Sequence, residues 1–114
     1  MLKLRMNSII QQQTNDSNSN YCKMPDGTLI QWGSVNITPS NPGSPFAYSG
    51  GKNVTFEIPF LQGTTPIVIT SPRENGGYWN SGAINISSTL CHIIIAGNTQ
   101  AEKTANWIAI GRWK

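Results

Sequence analysis

The chain has 114 residues and a formal net charge of +3, and only 11% of its residues are charged, against about 25% in an ordinary soluble domain. A single domain of this length buries roughly two-thirds of its surface around one core. Its 12 Asn, 11 Ser and 10 Thr supply most of the polar surface, which favours contact with sugars or other uncharged polar ligands. The basic residues are scattered, which argues against a nucleic-acid partner. No segment approaches the ~18 apolar residues of a membrane span, so membrane insertion is not expected.

The first 20 residues differ in character from the rest of the chain. Residues 11–20 read QQQTNDSNSN and contain no side chain that could pack in a core. A polar stretch of this kind is typical of a flexible tether. We therefore expect residues 1–20 to join a folded domain, residues 21–114, to a structure upstream.

From residue 28 onward, short β-prone segments alternate with turn residues, and no stretch of ten or more has helical spacing. In the second segment, VTFEIPF, apolar side chains fall at every second position, which predicts one buried face and one solvent face. The sequence therefore predicts an all-β fold, a small six-stranded antiparallel β-sandwich. The predicted strands are 28–37, 54–60, 66–71, 83–88, 90–96 and 106–113.

The first predicted strand contains a tryptophan beside a glycine, directly after an Asp-Gly turn. We expect Trp32 to be the large side chain that fills the core. Gly33 removes a side chain next to it, which permits the close approach of a neighbouring strand or a bulge.

The last two predicted strands are apolar on both faces. In 90–96 the run IIIA covers both, and in 106–113 Trp107 and Ala109 share one face while Ile108 and Ile110 take the other. A sandwich of this size has a single interior, so the outer apolar face needs a second cover. A symmetric oligomer would supply it. A loop folded over the outer face is the alternative.

If the six strands run antiparallel in sequence, their connections alternate between the two ends of the sandwich. Loops 38–53, 72–82 and 97–105 then gather at one end, and the short connections 61–65 and residue 89 lie at the other. The N-terminal tether enters at the short-loop end. The long-loop end is thus distal to whatever precedes the domain.

The long loops carry aromatic rings among short polar residues, a composition like that of antibody binding loops. Rings can stack on the apolar faces of sugars, while Asn, Arg and Glu side chains bond to the hydroxyls. Trp79 is the expected anchor of such a site; the alternative is that its ring caps the end of the core or packs in an interface. The aromatic residues are Phe46, Tyr48, Tyr78 and Trp79, and the polar residues beside the last two are Arg73, Glu74, Asn75 and Asn80.

The residue types needed for catalysis do not come together in the sequence. His92 is the single histidine, and Cys91 beside it points to the opposite face of a strand, so the two do not form a nucleophile–base pair. His92 is expected in the core or in an interface. Cys22 and Cys91 are expected to be free thiols, and one His with two distant Cys lacks metal-site spacing. The acidic residues show no pairing for glycoside hydrolysis. We therefore expect a binding protein, with no enzymatic activity, cofactor or metal.

Three stretches resemble the C-terminal tip domain of tailed-bacteriophage fibre proteins: YCKMPDGTLIQWGSV, VTFEIPF and the closing NWIAIGRW. In that family a KLPxGLIIQWG opening precedes a VTFPxxFP strand, and a WxAIG strand ends the chain. The resemblance covers about residues 21–114. It implies a homotrimeric β-sandwich at the tip of a fibre, which contacts the bacterial surface, and it makes residues 1–20 the remnant of a fibre shaft.

The frame NVTFEIPF…WIAIG is also similar to H-type lectin domains, which are trimeric β-sandwiches that bind sugars of the N-acetylgalactosamine type. Those lectins place a Trp-His-Asn-like stretch after the fifth strand as part of the sugar site. This chain has Ala96, Gly97 and Asn98 there, so only Asn98 is carried over as a ligand-binding residue.

Together these features predict a receptor-binding tip of a virion tail fibre that acts outside the cell at the host surface. Its expected partners are two further copies of itself, the rest of the fibre and a surface glycan such as lipopolysaccharide, capsule or wall polymer. One alternative is a structural head that trimerises or caps the fibre, with recognition elsewhere. Another is a free-standing lectin of the H-type kind.

Overall fold

The computed structural model describes residues 11–13, 19–42, 48–74 and 77–114, and these residues form nine β-strands and no helix. In that part of the chain there is accordingly no helix that could cross a membrane. The strands are β1 (Gln11–Gln13), β2 (Ser19–Lys23), β3 (Thr28–Ile37), β4 (Asn41–Pro42), β5 (Tyr48–Thr55), β6 (Ile67–Pro72), β7 (Trp79–Ile84), β8 (Leu90–Gly97) and β9 (Lys103–Arg112).

The strands form two antiparallel sheets, which confirms the predicted all-β class. Sheet A has the order β1-β2-β3-β9-β6, and sheet B has the order β4-β5-β8-β7. Side chains from both sheets meet in one core, which is closed at the β6–β7 edge by a 2.8 Å hydrogen bond between the hydroxyls of Thr70 and Ser81. The buried apolar residues are Leu29, Ile37, Phe56, Phe60, Cys91, Ile93, Ile95, Ala105, Trp107 and Ala109.

Four of the six predicted strands lie where the sequence places them, within three residues at each end, and the first, 28–37, agrees at both ends. The count of six is not confirmed, because β1, β2 and β4 are additional short strands in the described part of the chain. Of these, β1 and β2 pair with each other, and β2 pairs with β3.

The prediction of a strand at 54–60 is wrong about the backbone conformation and right about which side chains are buried. The strand β5 ends at Thr55, yet Phe56 and Phe60 are buried and pack edge to face, with ring centroids 5.0 Å apart. Their backbone N–H groups donate to the carbonyls of Thr89 and Ser88, in the turn before β8. The segment therefore keeps a strand-like alternation of side chains while it bonds to a turn rather than to a neighbouring strand.

The middle of that segment is held by a buried glutamine. The side chain of Gln31 is completely buried, and its amide donates to the carbonyl of Ile58 at 2.7 Å and accepts from the N–H of Ile58 at 3.0 Å. One primary amide thus replaces both bonds that a partner strand would have made. A buried polar side chain is stable only when it is satisfied in this way.

The predicted strand 83–88 is also wrong, because β7 spans Trp79–Ile84. Asn85 has a positive φ of 51°, a conformation that ends an extended strand. The hydroxyl of Ser87 then accepts from the N–H groups of Thr89 and Leu90 and forms a tight turn into β8. Four residues that the sequence assigned to a loop, 79–82, therefore lie in a strand.

Trp32 is not the core-filling residue of β3, contrary to the prediction. The buried positions of β3 are Leu29, Gln31 and Ile37, so Trp32 lies on the opposite, outer face of sheet A, where it is half-buried. The large aromatic residue of the core is Trp107, whose ring centroid lies 5.9 Å from that of Phe56. The sequence identified the alternation and assigned the wrong face to the interior.

The turn between β2 and β3 is tied to the end of the chain. The carboxylate of Asp26 accepts from the N–H of Thr28 at 2.8 Å, and this hydrogen bond, with a smaller contribution from Arg112, lowers the pKa of Asp26. The indole N–H of Trp113 donates to the carbonyl of Met24 at 2.6 Å. The bond from Trp113 fastens the segment that follows β9 to this turn.

Replacing Gln31 with Leu should lower the free energy of unfolding by about 2 kcal/mol or more, because the N–H and carbonyl of Ile58 lose their only hydrogen-bond partner in the described structure. Urea denaturation at a fixed protein concentration measures this. The matched control is Gln62→Leu at an exposed position, which should change stability little. Equal stability of the two variants would show that the amide does not hold this segment.

Candidate functional site

The three long connections meet at one end of the sandwich, as the sequence predicts. In sheet A, Ile37 at the end of β3 pairs with Lys103 at the start of β9. In sheet B, Gly97 at the end of β8 pairs with both Tyr48 and Trp79, the first residues of β5 and β7. We call this end, with the described residues of its connections, 38–42, 73–74, 77–78 and 98–102, the long-loop end.

The opposite end carries the turn between β2 and β3, the segment 56–66 and the turn before β8. The predicted connection 61–65 is therefore longer than expected, because the strand before it ends at Thr55. Gln11, the first described residue, pairs with Lys23 at this same end. The described chain thus starts away from the long-loop end.

Trp79 lies at the mouth of the core rather than on an open surface. Its indole packs flat over Gly97, where an added Cβ would overlap ring atoms Cε3 and Cζ3. The Nζ atom of Lys103 sits 4.8 Å from the ring centroid, within cation–π range. Trp79 comes from sheet B and Lys103 from sheet A, so the pair closes the gap between the sheets.

Lys103 also binds one of the predicted site residues. Its Nζ atom is 3.5 Å from the Oε2 atom of Glu74, and the Lys103 side chain is only 18% exposed. Glu74, Lys103 and Trp79 consequently form a chain of contacts across the end of the sandwich. The sequence analysis missed Lys103, although its two-residue spacing from Ala105 and Trp107 places it on the core-facing side of β9.

Arg73 and Glu74 line an open cleft of about 570 Å³ together with Ser71, Pro72 and Asn106. Ser71 and Asn106 are register partners across β6 and β9, on the outer face of sheet A. The N–H of Arg73 donates to the carbonyl of Thr104 at 2.8 Å, which fixes the backbone where β6 ends. Ser71, Pro72 and Asn106 are the lining residues that the sequence analysis did not select.

Two of the predicted site residues, Asn98 and Trp79, lie close together. Gly77 has a φ of +82°, and the space where its Cβ would stand is 3.0 Å from the Nε1 atom of Trp79 and 3.5 Å from the Oδ1 atom of Asn98. Both polar atoms therefore border the same small volume. Tyr78, the next residue along the chain, is 86% exposed and is the most open aromatic ring of the described structure.

The remaining candidates are placed differently or are not described. Asn80 pairs with Ala96 and faces outward from sheet B, away from the Trp79 ring. Asn75 and Phe46 lie outside the described residues. The structure thus brings Arg73 and Glu74 together at the cleft and Trp79 and Asn98 together beside Gly77, and it separates Asn80 from both.

The two cysteines and the histidine lie away from this end. Cys22 and Cys91 are free, as predicted, and burial raises the pKa of the Cys91 thiol. His92 is outside the core, on the outer face of sheet B, where its Nδ1 atom is 2.8 Å from the Oδ1 atom of Asn53. Among the described residues, no three His, Cys, Asp or Glu side chains lie close enough together to hold a metal ion.

Comparison with known families identifies the class of protein. The family described as tail fiber protein gp53-like, C-terminal, matches residues 23–112, which is most of the chain. The chain therefore belongs to this family of tail fibre C-terminal domains. The chain matches no curated protein.

Solved structures of pyocin tail fibres share the fold. An N-truncated R1-type pyocin tail fibre is similar with a TM-score of 0.64 and 19% identity, over 96% of this chain and 93% of that one. A longer C-terminal fragment of the R1 pyocin fibre of P. aeruginosa gives a TM-score of 0.63 and 19% identity, and the R2 fibre of the same organism gives 0.61 and 20%. In both, the match covers 96% of this chain but only 30% and 28% of the fragment.

Adding a methyl group at Gly97 should displace the Trp79 ring and destabilise the protein, because the new Cβ would occupy the position of the indole. We expect Gly97→Ala to cost about 1–3 kcal/mol in the free energy of unfolding, the usual penalty of overpacking. Gly82→Ala is the matched control in the neighbouring strand, since nothing lies within 4 Å of its added Cβ. Thermal melts and Trp fluorescence measure both, and equal melting temperatures would contradict the packing of Trp79 on Gly97.

Proposed function

We propose that this domain is the receptor-binding tip of a tail fibre and that it binds a bacterial surface glycan at its long-loop end. It is a binding protein rather than an enzyme, and it acts outside the cell as part of a virion or a related particle. One observation carries the proposal. The long-loop end brings together the exposed ring of Tyr78, the indole N–H of Trp79 and the amide of Asn98. The oppositely charged side chains of Arg73 and Glu74 lie at the same end. Membership of the tail fibre family supports it.

The glycan-binding surface that we propose has two parts. Tyr78 offers an exposed ring on which the apolar face of a sugar can stack. Trp79 contributes its Nε1–H edge beside Asn98 and supports the loop, because its ring faces lie against Gly97 and beside Lys103. Arg73 and Glu74 add charged groups at the adjoining cleft.

The domain is proposed to work as a homotrimer. The outer face of sheet A carries adjacent isoleucines from two strands, paired as Ile67↔Ile110 and Ile69↔Ile108. Three of them are open: Ile67 is 68% exposed, Ile69 57% and Ile110 37%. Apolar groups gathered on one face are typical of a subunit interface. Association through this face would place three binding ends side by side, so weak sites would gain avidity.

A structural head that caps the fibre is the second candidate. It is favoured by the packing of Trp79, which closes the end of the core as a stability element would. In that case recognition lies elsewhere on the fibre, and substitutions at exposed residues of the long-loop end leave binding unchanged.

Ile69→Glu should convert the trimer to a monomer at micromolar concentration, because three charges would face one another in an apolar interface. The fold should survive, since Ile69 is already more than half exposed within one chain. Light scattering after size-exclusion chromatography measures the mass. The matched control is Ile84→Glu on sheet B, which is 45% exposed and should leave the trimer intact. A monomeric parent protein, or dissociation only with Ile84→Glu, would contradict this interface.

Tyr78→Ala should weaken adsorption of the labelled trimer to bacteria at least tenfold, equivalent to about 1.4 kcal/mol per site. Its melting temperature should stay within a degree or so of the parent because the ring is 86% exposed. Adsorption to a panel of Gram-negative and Gram-positive strains is measured by flow cytometry. Leu61→Ser, at an exposed position of the opposite end, is the control. Normal adsorption by Tyr78→Ala would favour the structural head.

A further inference from the structure

The cleft lined by Ser71, Pro72, Arg73, Glu74 and Asn106 has a chemical preference that its charges define. We propose that it binds an acidic sugar, one that carries a carboxylate or a phosphate group, and that the guanidinium of Arg73 holds the anionic group. This inference rests on the proposed function and narrows the class of glycan.

Arg73 supplies the uncompensated charge of the cleft. Glu74 is the other charged residue in its lining, and its carboxylate lies 3.5 Å from the ammonium of Lys103, which offsets its charge. Within the described residues, no carboxylate is paired with the guanidinium of Arg73, and the hydrogen bond of this residue is made by its backbone N–H. The charge that remains for a ligand is therefore positive.

The backbone that carries Arg73 is well anchored. The residue follows Pro72, the last residue of β6, and its N–H is bound to the carbonyl of Thr104 in the adjacent strand β9. A guanidinium on a fixed strand end can present two parallel N–H donors to a carboxylate or phosphate, which is the geometry that Arg provides and Lys does not. This arrangement suits recognition of a planar or tetrahedral anion.

The rest of the lining suits the neutral part of a sugar. Ser71 and Asn106 lie opposite each other across β6 and β9, and their hydroxyl and amide groups can donate to or accept from ring hydroxyls. The volume of about 570 Å³ falls within the roughly 300–1,000 Å³ of small-molecule sites. The cleft therefore has room for one acidic residue of a longer polymer together with its neighbouring residues.

The cleft is compatible with the proposed interface. Ser71 stands two residues beyond Ile69 on the same face of β6, so the cleft begins where the row of isoleucines ends. Association through the isoleucines would leave the Arg73 side at the rim, towards the long-loop end. Each subunit would then present its own cleft beside the tip.

The test uses an array of bacterial polysaccharides printed in matched forms. Acidic polymers are printed before and after chemical reduction of their carboxyl groups, and phosphate-bearing polymers before and after removal of phosphate. The trimer should bind at least one charged polymer, and neutralising that polymer should weaken binding at least tenfold. Raising the salt concentration from 50 to about 500 mM should also weaken binding, because exposed charges are screened. If reduction of the carboxyl groups abolishes binding, the anionic group is a carboxylate. If removal of phosphate abolishes binding, the anionic group is a phosphate.

Variants connect this preference to Arg73. Arg73→Gln should lose the discrimination between charged and neutralised polymers, and Arg73→Lys should restore it only in part. Lys52→Gln removes the same charge from an exposed position in β5 and should bind as the parent does. Equal binding to charged and neutralised forms, or full discrimination by Arg73→Gln, would overturn the inference while the proposed function stands. Binding to no polysaccharide at all, with no adsorption to cells, would overturn both.

Discussion

The pairing of β3 with β9 is the constraint on which the other features of the domain depend. It runs in register for ten residues, from Thr28 opposite Arg112 to Ile37 opposite Lys103. Because side chains alternate along both strands, this one register places Leu29, Ala109 and Trp107 in the core and the outer isoleucines on the opposite face. A slip by one residue would exchange the two faces and bury Asn106 in place of Trp107.

The same pairing positions a different set of contacts at each end of the molecule. At one end it brings Lys103 to Glu74 and Trp79, so that contacts between the sheets close the mouth of the core. At the other end it brings the last residues of the chain to the turn before β3, where Trp113 bonds to Met24. The exposed groups that remain at the long-loop end are those to which we attribute recognition, and the outer isoleucines are those to which we attribute assembly.

Alternation and turn residues were sufficient to predict the all-β class, the strand 28–37 and the gathering of the long connections at one end. They did not predict how the backbone of 56–60 is satisfied, since its partners are a side chain and a turn, and neither leaves a periodic signal. They also did not identify the buried face of β3, because a buried Gln and an outward Trp invert the usual preference. At the site, the sequence selected Arg73, Glu74, Trp79 and Asn98, whereas Lys103 was missed because its role arises from contact between the two sheets.

The central claim is that ligand binds at the long-loop end of the tip. Hydrogen exchange measured by mass spectrometry, on the assembled protein with and without a polysaccharide that it binds, tests this directly. We predict that the ligand slows exchange in peptides that cover 72–80 and 97–104 and leaves 24–28 and 56–66 unchanged. Slowed exchange confined to 24–28 and 56–66 would contradict the account.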